Sequence, residues 1–267
     1  MTGPPFATNS ELYAATNVIE GIDWARRFHV HERFDDSSAR TDEGPRTVVL
    51  APHGGGIERG TSELCLAVAG HHPANLPITP PAGVTYDYWM FEGIRPGDNR
   101  DLHVTSTGCD DLVAVRLCAG ALGAVSLHGF RPRPPMGSDE QVVLVGGRVP
   151  DGGENLLRQE LLDGLGVAGF DARDAATPGN GEVDGNSECN IVNRTMLGKG
   201  AQLELSEPLR DAMFGDNTRP GRRHTTTEVF WRFVAACRDA LDRFEAHPEI
   251  ARPDVRCPGP PGREVFR

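Results

Sequence analysis

Short runs of consecutive apolar residues recur along the chain and alternate with longer stretches of helical period. Residues 47–51 form the first such run, which is rich in β-branched side chains and ends at Pro52, a pattern typical of a buried strand. Further strands are predicted at residues 86–91, 102–106, 124–128, 141–145 and 201–205.

Amphipathic segments separate these strands and predict helices at residues 10–20, 61–70, 110–121, 154–165, 207–214 and 227–246. Thr61 can cap the second helix, and Glu63 in its first turn suits the positive end of the helix dipole. Strands that alternate with helices of this length predict an α/β fold, in which helices cover both faces of a mostly parallel sheet.

The chain has 267 residues, a length that suits one large domain or two small ones. It shows no internal repeat and no change of composition before residue 248. We therefore predict a single domain over residues 1–267, with an N-terminal extension at 1–45 and a Pro/Gly-rich tail at 248–267. Within the extension, the charged stretch from residue 29 to residue 46 is predicted to be a loop.

Acidic side chains outnumber basic ones by 38 to 27, which gives a net charge of -11. Binding to duplex DNA or RNA requires a basic face, so this balance argues against a nucleic-acid partner. The best apolar stretch, residues 112–127, is interrupted by Arg116 and is shorter than the roughly 20 residues of a membrane span. Residues 1–11 lack the basic start and apolar core of a secretion signal, so we expect a cytoplasmic protein without a membrane partner.

Cysteine usage points to the same compartment. The six cysteines are scattered, lack CxxC spacing and lie mostly in apolar contexts: Cys65, Cys109, Cys118, Cys189, Cys237 and Cys257. This distribution favours reduced, buried thiols over disulfides or a cysteine-rich zinc site.

A glycine-rich loop follows the predicted strand at residues 47–51 and carries His53 and Glu58, with three consecutive glycines between them. Ligands of open α/β sheets lie at the carboxyl ends of strands, and the glycines allow a turn tight enough for the two side chains to converge. The loop lacks both the Gly-Lys-Ser/Thr ending of a P-loop and the glycine spacing of a dinucleotide site. The alternative is a glycine turn flanked by two exposed polar side chains.

His128 ends the predicted strand at residues 124–128, where it would reach the same edge of the sheet as His53. Two imidazoles and one carboxylate, with an open position for water, form a ligand set that zinc hydrolases use. His53, Glu58 and His128 are therefore candidate zinc ligands. A hydrogen-bonded core residue is the alternative role for His128.

Glu204 interrupts the apolar strand predicted at residues 201–205, where a carboxylate is costly to bury without a partner or a purpose. A zinc hydrolase also needs a general base that is not a ligand, and Glu204 is our candidate. The alternative is an edge strand whose solvated face carries Gln202 and Glu204.

Six sequence blocks, read together, resemble the poly-γ-glutamate hydrolase family of bacteriophages and bacteria. They lie at residues 52–63 (PHGGGIERGTSE), 88–93 (YWMFEG), 102–107 (LHVTST), 125–129 (VSLHG), 190–194 (NIVNR) and 200–206 (GAQLELS). The resemblance extends from residue 47 to residue 210, and its first and last blocks are the most specific.

This resemblance implies a fold like that of the zinc metallocarboxypeptidases, with a mixed sheet between helices. It implies a catalytic Zn2+ held by His53, Glu58 and His128, with Glu204 as the catalytic base. The implied reaction is hydrolysis of the γ-linked amide of poly-γ-glutamate rather than of ordinary α-peptide bonds. If the chain is phage-encoded, cell lysis would release it.

Two features of the resemblance leave details open. Residues 108–111 read GCDD where the family is expected to have Phe-Asp-Glu-Pro, so this loop differs from the family pattern. His103, inside the predicted strand at residues 102–106, is either a fourth histidine near the site or a structural residue.

Poly-γ-glutamate is a polyanion, so an acidic enzyme must gather cations locally to bind it. Residues 190–223 contain six cations and four acids, a local net charge of +2. Arg194 and Arg210 flank Glu204 in the sequence and are predicted to bind substrate carboxylates through their guanidinium forks. Surface side chains without a ligand are the alternative for Arg219, Arg222 and Arg223.

The leading hypothesis is thus a zinc-dependent hydrolase of poly-γ-glutamate. A zinc amidohydrolase of a small N-acyl amino acid is a second hypothesis, because a pocket with an arginine clamp would serve it equally well. A non-catalytic, nucleic-acid-associated phage protein is a third, and the acidic charge balance counts against it.

Overall fold

A seven-stranded sheet organises the computed structural model, which describes residues 5–31, 46–74, 84–150, 153–178, 180 and 183–251. Its strands are β1 (Trp24–His29), β2 (Thr47–Gly55), β3 (Asp87–Gly93), β4 (Gly123–Phe130), β5 (Val142–Gly146), β6 (Asp171–Asp174) and β7 (Ala201–Ser206). Their spatial order is β1-β3-β2-β4-β7-β5-β6. Four of the six neighbouring pairs are parallel, whereas β1 with β3 and β5 with β7 are antiparallel. The prediction of a mixed, mostly parallel sheet is confirmed.

The helices of the described residues are α1 (Asn9–Ala14), α2 (Thr61–Val68), α3 (Leu112–Ala119), α4 (Leu156–Val167), α5 (Glu207–Ala212), α6 (Arg219–Arg222), α7 (Glu228–Ala246) and α8 (Pro248–Ala251). Two short 3-10 helices, Asn99–Leu102 and Ile191–Asn193, complete the set. Side chains cap several of these helices as expected. Asp111 accepts hydrogen bonds from the backbone N–H groups of Val113 and Ala114, and Asn155 accepts one from Arg158.

Alternate residues of the central strands bury their side chains in different cores, because successive side chains of a strand point to opposite faces. Val49 and Ala51 of β2 pack with α2, α4 and α7 on one face. Val48 and Leu50 pack on the other face with α1 and α3. Helices therefore cover both faces of the sheet, as the alternating pattern predicts.

The same alternation places a polar stripe, formed by Gln202 and Glu204 of β7, on the face of the sheet that also carries the core under α1 and α3. Leu203 and Leu205 of β7 belong to the core under α2, α4 and α7, so Gln202 and Glu204 project to the opposite face. The stripe is bordered on one side by the core under α1 and α3. On its other side lies a small apolar cluster that contains Leu144 of β5.

The strand predicted at residues 102–106 is wrong. Leu102 ends a 3-10 helix, and residues 103–106 form a loop without a strand partner among the described residues. The alternation that suggested a strand is real, because Leu102 and Val104 are buried while His103 and Thr105 are not. It arises from a loop that packs on the sheet rather than from pairing within it.

The N-terminal extension predicted at residues 1–45 also requires correction. Its residues 9–29 supply α1 and the edge strand β1, and Leu12 and Trp24 are buried in the core under α1 and α3. The helix predicted at residues 10–20 is limited to Asn9–Ala14, and His29 belongs to β1 rather than to the predicted loop. Most of that loop, and residues 252–267 of the predicted tail, lie outside the described residues.

Two further findings concern the described residues as a whole. Their helices include none with the length and apolar character needed to cross a membrane. Five cysteines are free thiols, four of them buried and Cys189 exposed, whereas Cys257 lies outside the described part of the chain.

Candidate metal centre

The loop that follows β2 folds back so that Glu58 lies beside His53. The backbone N–H of Glu58 donates to the carbonyl of His53 over 2.9 Å, which closes the turn. Gly55 adopts a φ of +67°, and a Cβ atom there would lie 2.3 Å from the carbonyl oxygen of Gly93. A glycine is therefore required at this position, because a side chain would strain the backbone and collide with β3.

The side chains of His53, Glu58 and His128 converge at the carboxyl ends of β2 and β4. His53 Nδ1 lies 2.9 Å from Glu58 Oε1 and 3.0 Å from His128 Nδ1. Glu58 Oε2 lies 3.5 Å from His128 Nδ1. Both imidazoles are almost fully buried, with 3% and 2% of their surface exposed. The alternative of two exposed polar side chains at a glycine turn is therefore wrong.

The outer nitrogen of each imidazole has its own partner in the loop at residues 103–106. His53 Nε2 lies 2.7 Å from the carbonyl oxygen of Val104, and His128 Nε2 lies 3.3 Å from Ser106 Oγ. A carbonyl oxygen can only accept, so His53 Nε2 carries a proton and donates it, and Nδ1 is the ring nitrogen that faces the centre. This arrangement, in which the outer nitrogen is held by a second partner, is typical of metal-binding histidines.

The atoms that face one another in the centre are imidazole nitrogens and carboxylate oxygens, which are the atoms that bind a divalent metal in proteins. Glu58 offers two oxygens, one of which also accepts from the N–H of Gly129 over 2.8 Å. Burial by itself would raise the pKa of Glu58, but the imidazoles of His53, His103 and His128 hold it well below its ordinary value. Ligands at 2.0–2.2 Å from a tetrahedral metal lie about 3.3 Å apart, so the observed separations fit a divalent cation.

His103 stands on the open side of this centre. Its ring centroid lies 3.8 Å from that of His53, and its Nε2 lies 3.5 Å from Glu58 Oε1. The ligand atoms of His53, Glu58 and His103 all lie within 4.8 Å of one another, so this trio could also hold a metal. His103 is about one-third exposed, unlike the buried His128. The structure thus offers two imidazoles for the third ligand position.

Glu204 lies next to His128 in the sheet, since the two residues are Cα partners in the parallel pairing of β4 with β7. β7 lies between β4 and β5, and Gln202 and Glu204 are only 6% and 7% exposed. The alternative of a solvated edge strand is therefore wrong. Burial raises the pKa of Glu204 well above its ordinary value, and the negative charge of Glu58 adds to the effect.

The guanidinium groups of Arg210 and Arg194 point to backbone carbonyls. Arg210 is 5% exposed and donates to the carbonyl oxygens of Leu205, Arg59 and Phe130. It also packs against Gly129, where a Cβ atom would lie 2.4 Å from Arg210 Nε. These contacts join the ends of β4 and β7 beside the metal centre.

Arg194 ties together two loops on the α3 side. It donates to the carbonyl oxygens of Cys189, Cys109 and Thr107. A role of either arginine in substrate binding stays a prediction, and the hydrogen bonds seen in the structure are structural ones.

The three arginines at residues 219–223 have different surroundings in the structure. Arg222 is 1% exposed and donates to Glu63 Oε1 and to the carbonyl oxygen of Gly55, so it supports the glycine loop from behind. The interpretation of this residue as a surface side chain is wrong. Arg223 contacts His224, and Arg219 donates to the carbonyl of Ile94.

Comparison with known sequences identifies the relatives of this chain. The sequence profile of the family described as Poly-gamma-glutamate hydrolase matches residues 29–236. The SPbeta prophage-derived protein YoqZ of Bacillus subtilis (strain 168) is 32% identical over 195 residues. That alignment covers 73% of this chain and 61% of YoqZ, so the chain spans less than two thirds of this relative.

Two solved structures share the fold over nearly their whole length. A bacteriophage poly-γ-glutamate hydrolase superimposes with a TM-score of 0.70 at 27% identity, covering 91% of this chain and 98% of that chain. A zinc-free apo form of YndL superimposes with a TM-score of 0.71 at 26% identity, covering 91% of this chain and 99% of that one.

Proposed function

This chain belongs to the poly-γ-glutamate hydrolase family, and from that premise we propose that it is a zinc-dependent hydrolase of the γ-glutamyl amide bonds of poly-γ-glutamate. The observation that carries the proposal is the convergence of two imidazole nitrogens and a carboxylate at separations of 2.9–3.5 Å. A further carboxylate, Glu204, lies on the neighbouring strand. This is the composition of a hydrolytic metal site with a separate general base.

His53, Glu58 and His128 would hold the metal in this proposal. When bound there, zinc would supply a Lewis acid for the amide carbonyl and for the attacking water. The carbonyl of Val104 and the hydroxyl of Ser106 fix the two rings through their outer nitrogens. His103 faces the open side, where it would meet the substrate.

Glu204 acts first as the general base and then as the general acid in this reaction. Its carboxylate accepts a proton from the water as the water oxygen forms a bond to the amide carbon. When the C–N bond breaks, the same carboxyl group passes the proton to the leaving nitrogen, which departs as an amine. Burial suits Glu204 to both tasks, because a carboxyl group with a raised pKa holds a proton more readily than an exposed one.

The test begins with the metal content of protein purified without added metal. We expect about one zinc per chain, and we expect chelation followed by zinc addition to abolish and restore poly-γ-glutamate cleavage. Size-exclusion chromatography of the polymer separates this function from the hydrolysis of a small N-acyl amino acid, because only depolymerisation lowers the polymer mass.

Glu204→Gln is the decisive variant for the mechanism. It should retain zinc and lower kcat by about 10²–10⁴-fold, the range expected when acid–base assistance is lost. Wild-type turnover in this variant would contradict the assignment of the base, and loss of zinc would make Glu204 a ligand instead.

A further inference from the structure

A buried chain of side-chain amides leads to one oxygen of Glu204. Asn190 Nδ2 donates to Gln202 Oε1 over 2.8 Å, and Gln202 Nε2 donates to Glu204 Oε1 over 2.9 Å. All three side chains are at least 93% buried. Asn190 precedes the 3-10 helix Ile191–Asn193, so the chain connects this helix to the middle of β7.

The backbone fixes the direction of these hydrogen bonds at the Asn190 end. The backbone N–H of Val192 donates to Asn190 Oδ1 over 3.2 Å, and a backbone N–H can only donate. Asn190 must therefore present its NH2 group to Gln202, which in turn presents its own NH2 group to Glu204. The carboxylate of Glu204 accepts the last hydrogen bond of this series.

The two oxygens of Glu204 consequently have different surroundings. Oε1 is anchored by Gln202. Oε2 has no hydrogen-bond partner among the described residues. It is not completely buried either, because it is absent from the set of unpaired atoms that solvent cannot reach. Gln202 thus holds one oxygen in place, and the other stays free of hydrogen bonds to the described residues and within reach of solvent.

We propose that Gln202 and Asn190 are positioning residues, which form a directional relay that holds the carboxylate of Glu204 in the orientation needed for proton transfer. This inference rests on the proposed function, in which Glu204 is the general base. It assigns a role to the NIVNR block at residues 190–194, which neither the metal ligands nor the base explain. Gln202 and Asn190 act through Glu204 and do not touch the reacting atoms.

The first test removes the donor. Gln202→Met keeps the length of the side chain but cannot donate to Glu204 Oε1. We expect wild-type zinc content, a KM within about threefold of the wild type, and a kcat about 10–100-fold lower, because misplacement by about 1 Å can cost 10²-fold. Wild-type kcat in this variant would overturn the proposal.

The second test reverses the relay from a distance. In Asn190→Asp the carboxylate cannot donate, so the Gln202 amide turns its NH2 group toward residue 190 and presents an oxygen to Glu204. Asn190→Ala removes the partner without reversing it. We expect kcat to fall more in Asn190→Asp than in Asn190→Ala. A packing role alone gives the opposite order, since Asp resembles Asn more closely in shape, and that order would overturn the proposal.

The third test restores the donor by protonation. Gln202→Glu has the shape of the native side chain, and its protonated carboxyl group can donate to Glu204 where its ionised form cannot. The kcat of this variant relative to the wild type should therefore rise as the pH falls. A ratio that stays constant with pH would overturn the proposal. This variant also serves if Gln202→Met does not fold.

Asn155→Asp is the matched control. Asn155 is also a buried amide; its Nδ2 donates to the carbonyls of Arg148 and Gly200, and it has no contact with Glu204. We expect a lower Tm for this control without a loss of kcat. If the wild type does not cleave the polymer, or if Glu204→Gln turns over normally, the proposed function fails, and the relay fails with it.

Discussion

At the scale of single residues, the candidate metal centre depends on which nitrogen of His53 faces Glu58. His53 Nε2–H donates a hydrogen bond to the carbonyl of Val104, so Nδ1 is the nitrogen that faces Glu58. The carbonyl of Val104, in the loop at residues 103–106, therefore determines which nitrogen of His53 is available to a metal.

The two candidates for the third ligand predict different variants. His128 is buried and held by Ser106, so we expect His128→Ala to weaken zinc affinity by more than the 10–100-fold typical of losing an outer partner. His103→Ala should change the affinity by less than about tenfold while lowering kcat/KM. Titration of the apoprotein with zinc checks both values. The reverse order of affinities would make His103 the ligand.

Arg210 offers a prediction about stability. Lys lacks the guanidinium fork, so Arg210→Lys cannot reproduce the three bonds to the carbonyls of Leu205, Arg59 and Phe130. We expect the free energy of unfolding to fall by about 1–3 kcal/mol, the cost of leaving buried carbonyls unpaired. Urea unfolding measures it. If Arg210 binds substrate instead, stability would be unchanged and kcat/KM would fall at both low and high salt.

At the scale of elements, His71 makes the junction of α2 with the β1 and β3 edge sensitive to acid. Its ring lies 5.5 Å from those of His29 and Tyr88, and neither of its buried nitrogens has a hydrogen-bond partner in the described part of the chain. Burial, together with the charges of His29 and His31, lowers the pKa of His71 from 6.5 to about 4. His71 is therefore harder to protonate in the folded protein than in the unfolded chain.

The sign of the pH dependence follows from this difference. Between pH 6.5 and about 4 the unfolded state binds a proton at His71 that the folded state does not, so stability falls as the pH decreases through this window. Below it both states are protonated, and His71 contributes no further change. We expect His71→Phe to lose less stability than the wild type between pH 7 and 4.5, measured by urea unfolding. Equal losses in both proteins would exclude His71 as the cause.

The elements that the sequence predicts well are those whose side chains are buried on both faces. β2 and β4 contain short apolar runs, β7 alternates apolar with polar residues, and each strand begins within one residue of its predicted start. The edge strands β1 and β6 read WARRFH and DARD, and nothing in such polar segments distinguishes a strand from a loop. The local pattern of apolar residues indicates which segments are buried, but it does not indicate which segments pair as strands.

The same limit applies to the candidate site. His53, His128 and Glu204 could be selected because each is a polar residue at the end or in the middle of an apolar strand, and Glu58 because it lies in the glycine loop that follows His53. The burial of Arg222 could not be predicted, because its partner Glu63 lies 159 residues away in the sequence. The position of His103 was equally hidden, since the alternation around it suggested a strand rather than a loop that reaches the centre.

At the scale of the whole molecule, three arginines that the sequence offered for substrate binding are held by contacts within the protein. Arg210 and Arg194 bind backbone carbonyls, and Arg222 pairs with Glu63. The chain nevertheless carries a net charge of -11. A polyanionic substrate must therefore approach a molecule of like charge, and only short-range contacts at the site can reverse that repulsion.

This conflict predicts how cleavage depends on ionic strength. At 0.01 M salt the Debye length is about 30 Å, larger than the radius of gyration of about 18 Å expected for a chain of 267 residues, so the polymer senses the whole negative charge. At 0.1 M the Debye length is about 10 Å, which screens the distant charges but leaves contacts at the site largely intact. We therefore expect kcat/KM for long poly-γ-glutamate to rise between 0.01 and 0.1 M salt. A short γ-glutamyl oligomer with few charges is the control and should respond less. A fall of kcat/KM for the polymer over the same range would mean that a local cationic surface attracts the substrate from a distance, and that the net charge of the chain does not govern its approach.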